Sequence, residues 1–179
     1  SRKIIRNEIN EILVTFGGED VMNLSPRIAL LLLSKQIGRK INVIVGAAYS
    51  KSTIKKLKTI NNIHLLYDLN QEQMKDVMIS ADIAISAGGQ TIYELAKMGV
   101  PSIIIATANN QERNIEEWIN TGIINKEKMY VNGDLESRLL TNIDNIQKRN
   151  IRQKISLEAQ TIMRRNGVKN IVKKMYEYT

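Results

Sequence analysis

The stretch Asp82-Ile83-Ala84-Ile85-Ser86-Ala87-Gly88-Gly89-Gln90-Thr91 carries a short apolar, β-branched run through two glycines straight into a helical pattern. A strand that feeds a helix in this way is half of a βαβ unit, and the alternation extends outward in both directions. Short buried strands are expected at 11–15 (EILVT), 41–45 (INVIV), 63–66 (IHLL), 82–86 (DIAIS), 102–106 (SIIIA) and 129–131 (MYV). Helical patterns occupy 25–36, 51–58, 71–79, 91–98, 111–120, 135–145 and 151–178. This is the signature of an α/β fold: a doubly wound parallel sheet of about six strands with helices on both faces. Two boundary signals support the division. Ser25 is placed to cap the first helix with Pro26 at its first position. Gly99, followed by Val100-Pro101, is placed to stop the helix that ends at Met98.

The 179 residues suit one domain spanning 1–179, with strands and helices over 11–145 and a basic helix at about 151–178. Hydrophobic residues at 43% and charged residues at 25%, with 2 Pro and 10 Gly, exclude collagen-like and wholly disordered chains. No apolar run approaches the roughly 18 residues of a spanning helix. The start, Ser1-Arg2-Lys3-Ile4-Ile5-Arg6, lacks the apolar core of a signal peptide, so a cytoplasmic location is expected. The absence of Cys removes disulfides, thiolate metal sites and cysteine nucleophiles, and His64 alone cannot build a multi-histidine zinc site. Within its strand pattern, His64 reads as a packed or edge residue, and Trp118 and the methionines fall at core-like positions.

The formal charge of +8 is split evenly, with 13 Lys and Arg against 9 Asp and Glu in each of 1–100 and 101–179. Only 148–179 is locally biased, with nine basic residues against Glu158 and Glu177. That run is either a solvated helix face or a patch for phosphates or lipid head groups, a possible peripheral membrane contact. Aromatics are only 4%, and neither a stacking motif nor a helix-turn-helix pattern is present, so no specific nucleic-acid partner is expected.

In an open parallel sheet the ligand crevice lies at the carboxyl ends of the strands, where strand order reverses. Two loops there carry paired glycines: Phe16-Gly17-Gly18-Glu19-Asp20-Val21-Met22-Asn23 and Ala87-Gly88-Gly89-Gln90-Thr91. Glycine pairs either make tight strand-to-helix turns or let backbone N–H groups and a helix dipole approach a phosphate. Neither loop matches the dinucleotide or P-loop pattern. Glu94, three residues after Thr91, shares its face in the first turn of a helix. There it either compensates the dipole or accepts two hydroxyls of a ribose diol. Asn109-Asn110-Gln111 after the fifth strand either cap a helix or meet sugar hydroxyls and N-acetyl groups. The loop Tyr67-Asp68-Leu69 is either a plain connection or a supplier of backbone groups to a base. No Asp-x-Asp is present, so no metal and no cofactor are expected.

The combination of motifs from about Ile12 to Gly122 resembles a known family. These motifs are Gly17-Gly18 with Asp20-x-x-Asn23, Met74-x-x-x-Met78-x-x-Ala81-Asp82, Ser86-Ala87-Gly88-Gly89-Gln90-Thr91-x-x-Glu94, Gly99-Val100-Pro101-Ser102 and Asn110-Gln111. It is the Rossmann-like, nucleotide-sugar half of GT-B glycosyltransferases. The likeness is narrowest to the pseudaminic-acid-pathway UDP-sugar hydrolases and the spore-coat polysaccharide biosynthesis proteins, which are similar to MurG-type N-acetylglucosaminyltransferases. The resemblance implies that Glu94 binds the ribose hydroxyls of UDP and that the turn Gly88, Gly89, Gln90 and Thr91 holds the diphosphate. It implies that Gly17, Gly18, Asp20 and Asn23 face the same phosphates and that the loop around Tyr67 and Leu69 lines the uracil. Asn110 and Gln111 then reach the sugar or its anomeric phosphate, with Asn110 the catalytic candidate near the scissile bond.

Such enzymes use two domains, and the sequence carries the pattern of the C-terminal one. The expectation is therefore a UDP-sugar-binding domain in cell-surface polysaccharide or nonulosonic-acid biosynthesis. Its N-terminal GT-B partner would be absent and supplied in cis or by another subunit, leaving this chain alone inactive. The alternative is a non-catalytic soluble subunit of a split N-acetylglucosaminyltransferase that docks a separate partner.

Overall fold

The computed structural model describes residues 3–124 and 129–165. The strands are β1 Glu11–Thr15, β2 Lys40–Ile44, β3 His64–Leu66, β4 Ile83–Ala87, β5 Ser102–Ala106 and β6 Met129–Tyr130. The helices are α1 Leu24–Ser34, α2 Lys51–Lys58, α3 Gln71–Ser80, α4 Thr91–Met98, α5 Glu112–Ile119, α6 Leu135–Asn145 and α7 Arg149–Arg165, with a 3₁₀ turn at Asn109–Gln111. All strands are parallel in the order β3-β2-β1-β4-β5-β6. The expected doubly wound sheet is therefore present, with boundaries moved by one residue in β2, β3, β4 and β6. The expected helix at 151–178 begins at Arg149, and its residues beyond Arg165 lie outside the described ones.

Alternation along each strand divides the core. Ile12 and Val14 of β1, Ile83 and Ile85 of β4, and Ile103 and Ile105 of β5 bury against Leu24 and Ile28 of α1, Leu57 of α2 and Leu139 of α6. The intervening Leu13 and Ala84 meet Met78 of α3 and Leu95 of α4, and Ile104 joins Ile92, Ile115, Trp118 and Ile155 from α4, α5 and α7. Strands buried on both faces read as unbroken apolar runs for this reason. His64 lies exposed on the edge strand β3, in keeping with its edge reading.

Helix ends follow local chemistry with one correction. The N-cap of α1 is Asn23, at φ 53, and not Ser25. Both carboxylate oxygens of Asp20 accept the first N–H groups, from Leu24 and Ser25 at 2.8 Å each, which frees the Ser25 hydroxyl to meet Tyr49. Pro26 remains in the first turn, where its missing N–H costs nothing. The stop at Gly99 is as expected, with φ 69 and Val100 N–H reaching the Leu95 carbonyl at 2.9 Å.

The amino ends of the strands are tied by charge. Asp82 accepts the Asn10 and Glu11 N–H groups at 2.9 Å each, and Arg6 at 3.1 Å. Lys3 donates to the carbonyls of Ile79 and Ala81. Arg152, at 0% exposure, donates to the carbonyls of Ile146, Gln147, Arg6 and Asn7, joining α6, α7 and the segment before β1. Arg149 donates to the Ile5 carbonyl and Lys154 lies 3.9 Å from Glu158, so these members of the C-terminal basic run serve internal contacts. Among the described residues, no helix is long and apolar enough to cross a membrane.

Replacing Arg152 by Met should destabilise the fold by roughly 3 kcal/mol in urea unfolding, because a buried guanidinium that ties four part-buried carbonyls together is lost. Burial pushes the Lys3 ammonium from 10.5 down to about 8. Between those values the unfolded chain binds more protons than the folded one, so the Lys3 contribution to stability rises with pH across that window. Urea midpoints at about pH 8 and pH 10 should show this gain in the native chain and lose it in Lys3→Met.

Candidate functional site

Strand order reverses between β1, which continues to β2, and β4, which continues to β5. Their outgoing loops therefore part, and a cleft of about 320 Å³ opens at the carboxyl ends. Its lining combines the apolar Ile44, Val45, Leu69 and Met74 with Thr15, Thr91, Glu94 and the glycines Gly17, Gly18 and Gly46. Ala47 and Asp68 complete it, and among the described residues no lysine, arginine or histidine lines it.

The lining supplies more than one kind of chemistry. Glu94 is exposed in the first turn of α4, and its carboxylate has no protein partner among the described residues. The N-terminus of α4 has no side-chain cap; Ile92 and Tyr93 N–H turn back onto the Gly89 and Gln90 carbonyls at 3.3 and 3.0 Å, and the end of the helix keeps its positive dipole. The site thus offers a two-oxygen acceptor, an anion-attracting helix end and an apolar wall, which together suit a ligand with a diol, a negative group and a flat ring.

The sequence-selected residues separate into two groups. Gly17, Gly18, Leu69, Thr91 and Glu94 line the cleft together, and Gly88, Gly89 and Gln90 form the turn into Thr91. The glycines of that turn are not equivalent. A Cβ on Gly88 would overlap the Ile115 side chain and come within 3.0 Å of Gln111 Cβ, whereas Gly18 and Gly89 have nothing within 4 Å. Gly88 serves the close packing of α5, whereas Gly18 and Gly89 have free space where a side chain would stand, Gly18 on the cleft itself.

The other group is held in scaffold contacts. The Asp20 carboxylate is occupied by the α1 amides, and Asn23 Oδ1 accepts the Thr53 hydroxyl at 2.7 Å. Gln111 Oε1 accepts from Gly88 N–H at 3.2 Å and from Thr107 N–H and hydroxyl at 3.0 and 3.1 Å, tying the β4 and β5 loops together. Asn114 adds a bond to the Gly88 carbonyl at 2.8 Å, and Tyr93 holds Asn114 in turn. Asn110 is exposed on the 3₁₀ turn after β5, outside the cleft lining, and its side chain has no hydrogen bond among the described residues. Tyr67 is 41% exposed, also outside that lining.

The residues that sequence reasoning missed are Thr15, Ile44, Val45, Gly46, Ala47 and Met74, while Asp68 lies in the loop it had named with Tyr67 and Leu69. Gly46 had a signal, a lone glycine directly after a strand run, that a search for glycine pairs passes over. A Cβ there would overlap the carbonyl oxygens of Gly17 and Gly18, so only glycine lets the β1 and β2 loops meet. Met74 is both core and wall: it packs beside Leu66 and Leu69 while facing the cleft.

Residues 12–175 match the family model of the glycosyltransferase family 28 C-terminal domain. A curated Helicobacter pylori protein, pseudaminic acid cytidylyltransferase and UDP-2,4-diacetamido-2,4,6-trideoxy-beta-L-altropyranose hydrolase, is 30% identical over 125 residues, 70% of this chain and 22% of that protein. The solved MurG of Acinetobacter baumannii is similar with TM-score 0.63 and 18% identity, over 86% of this chain and 45% of that one. The UDP-GlcNAc 2-epimerase of Neisseria meningitidis, solved with UDP-GlcNAc bound, gives TM-score 0.60 and 18% identity over 94% and 45%. The chain thus spans about a fifth of that curated relative and under half of each of these two structures.

The two glycines of the β4 turn give a paired prediction. Gly88→Ala should lower unfolding stability by about 1–3 kcal/mol through overpacking against Ile115, while Gly89→Ala should stay within about 0.5 kcal/mol of the parent. Equal losses in the two variants by thermal or urea melting would refute the division of labour.

Proposed function

Because the chain belongs to the glycosyltransferase family 28 C-terminal domain family, we propose that it is the donor half of a GT-B-type enzyme and binds the UDP part of a UDP-linked N-acetylated sugar. The observation that carries this reading is the cleft at the β1–β4 divergence, which sets the unpartnered Glu94 carboxylate beside the uncapped end of α4 and an apolar wall. In this reading Glu94 accepts the ribose diol, and Ile44, Leu69 and Met74, with the loop around Tyr67, receive the uracil. The turns at Gly17–Gly18 and Gly88–Gly89, with the positive end of the α4 dipole, hold the diphosphate. Asn110, exposed beyond Thr91 on the neighbouring loop, is the residue assigned to the sugar side. Support comes from the UDP-sugar named for the Helicobacter relative and from the UDP-GlcNAc bound in the Neisseria structure.

Chemistry follows from placement. As the anomeric C–O bond breaks, negative charge grows on the departing diphosphate, and fixed N–H dipoles stabilise that charge more than they stabilise the ground state. Whether water or an acceptor hydroxyl attacks is decided by groups outside this chain, in an N-terminal domain in cis or a partner subunit. The setting that accompanies this reading is nonulosonic-acid or cell-surface polysaccharide biosynthesis in the cytoplasm.

Thermal melting with UDP, using ADP and NAD as controls, tests the assignment. UDP at about 100 times its dissociation constant adds roughly 2.7 kcal/mol, a rise in melting temperature of about 5 °C or more for this size of domain. The shift should be selective for UDP and should fall away in Glu94→Ala, with affinity reduced about 10- to 100-fold by loss of a charged hydrogen-bond acceptor. A shift of the same size in Glu94→Ala would remove Glu94 from the site.

A further inference from the structure

The glycine loop after β1 is held from below by a segment that makes no side-chain contribution to the cleft from its buried polar groups. Residues 46–53 meet residues 17–25 at four points. Gly46 abuts the Gly17 and Gly18 carbonyls, and Ala48 N–H donates to the Gly18 carbonyl at 2.9 Å. The Tyr49 hydroxyl lies 2.9 Å from the hydroxyl of Ser25, whose own N–H is held by Asp20. The Thr53 hydroxyl donates to Asn23 Oδ1 at 2.7 Å. Tyr49 and Thr53 are 6% and 1% exposed, and neither lines the cleft.

The direction of the Thr53 bond sets a relay. Its single proton goes to Asn23, so the Ser50 hydroxyl 2.7 Å away must donate to Thr53 Oγ1. Ser50 in turn accepts Thr53 N–H at 3.1 Å as the N-cap of α2. The relay therefore anchors Asn23 to the start of a helix. Asn23 sits at φ 53, in the left-handed region, where the glycine loop turns into α1, and its N–H closes onto the Asp20 carbonyl at 3.1 Å. Releasing Asn23 frees the loop to change the direction of its N–H groups without disturbing the sheet.

We propose that Thr53 and Tyr49 are positioning residues of the donor site, which set the Gly17–Gly18 backbone for a diphosphate while touching no ligand. This rests on the donor-site reading above. Because the relay acts on the phosphate loop and not on the apolar wall, its loss weakens binding of the diphosphate and spares the nucleoside.

Isothermal titration of UDP and of uridine into the parent chain, Thr53→Val, Thr53→Ser and Tyr49→Phe separates the possibilities. Thr53→Val and Tyr49→Phe should weaken UDP about tenfold and uridine less than about twofold, and Thr53→Ser should restore UDP binding. Variants that weaken both ligands equally, or neither, overturn the positioning role while leaving the donor site standing. A parent chain that binds neither ligand overturns the donor-site reading and this one with it. Should Thr53→Val fail to melt cooperatively, Tyr49→Phe, which deletes one oxygen, carries the same comparison.

Discussion

When β1 takes β4 as its parallel neighbour on one side and β2 on the other, the loops leaving their carboxyl ends must run in opposite directions. Parallel pairing forbids a short turn between neighbours, so α1 returns along one face and α4 along the other. The gap between those departures is the cleft. Everything assigned to the site is a consequence of that pairing: Gly17 and Gly18 leave from β1, the turn to Thr91 and Glu94 leaves from β4, and β2 contributes Ile44 to Gly46 as the outer wall. The register Val14 to Ile85 and Thr15 to Ser86 sets the two loops level with each other.

The glycines around this gap answer different demands. Gly46 and Gly88 have no room for a Cβ because another backbone or side chain already stands there. Gly18 and Gly89 have nothing within 4 Å of a Cβ, so packing does not demand glycine at either, and Gly18 lines the cleft. Spacing in the sequence does not separate these cases, since Gly88 and Gly89 are neighbours. The hydrogen bonds of Gln111 and Asn114 to Gly88 add that the β5 loop and α5 are part of the same rigid support.

Basic side chains stand away from the cleft, whose charged lining residues are Asp68 and Glu94. Residues 21–67 hold eight Lys and Arg and no Asp or Glu, equal to the net charge of +8 of the whole chain, yet among the described residues no basic side chain lines the cleft. An anion held there is met by backbone N–H groups and a helix end, which act at short range and keep a fixed direction. The opposite end of the sheet uses side-chain charge instead. Arg6, Asp82, Lys3 and Arg152 bind backbone groups of the chain's first described segment, of α3 and of the α6–α7 junction. One end is thus built for stability and the other is left with unpaired groups.

By itself the sequence determined the strands, the helices, the stop at Gly99 and the place of Glu94 in the first turn of α4. Each of these depends on residues within a few positions of one another, and apolar periodicity, glycine and proline act over that range. Tertiary structure decided what the polar residues do. Ser25 has every local property of an N-cap, but Asp20 reaches the same amides and Tyr49 claims the Ser25 hydroxyl. Gln111 and Asn23 read from the sequence as ligand groups, and the fold gives their side-chain oxygens partners at Thr107, Gly88 and Thr53 that no local spacing foretells. Arg152 reads as part of a solvated basic run, yet it is buried on carbonyls that lie up to 146 residues away. A side chain's hydrogen-bonding capacity is written in its residue type, but the partner that satisfies it is chosen by which segments the sheet brings together, and that choice is made at long range.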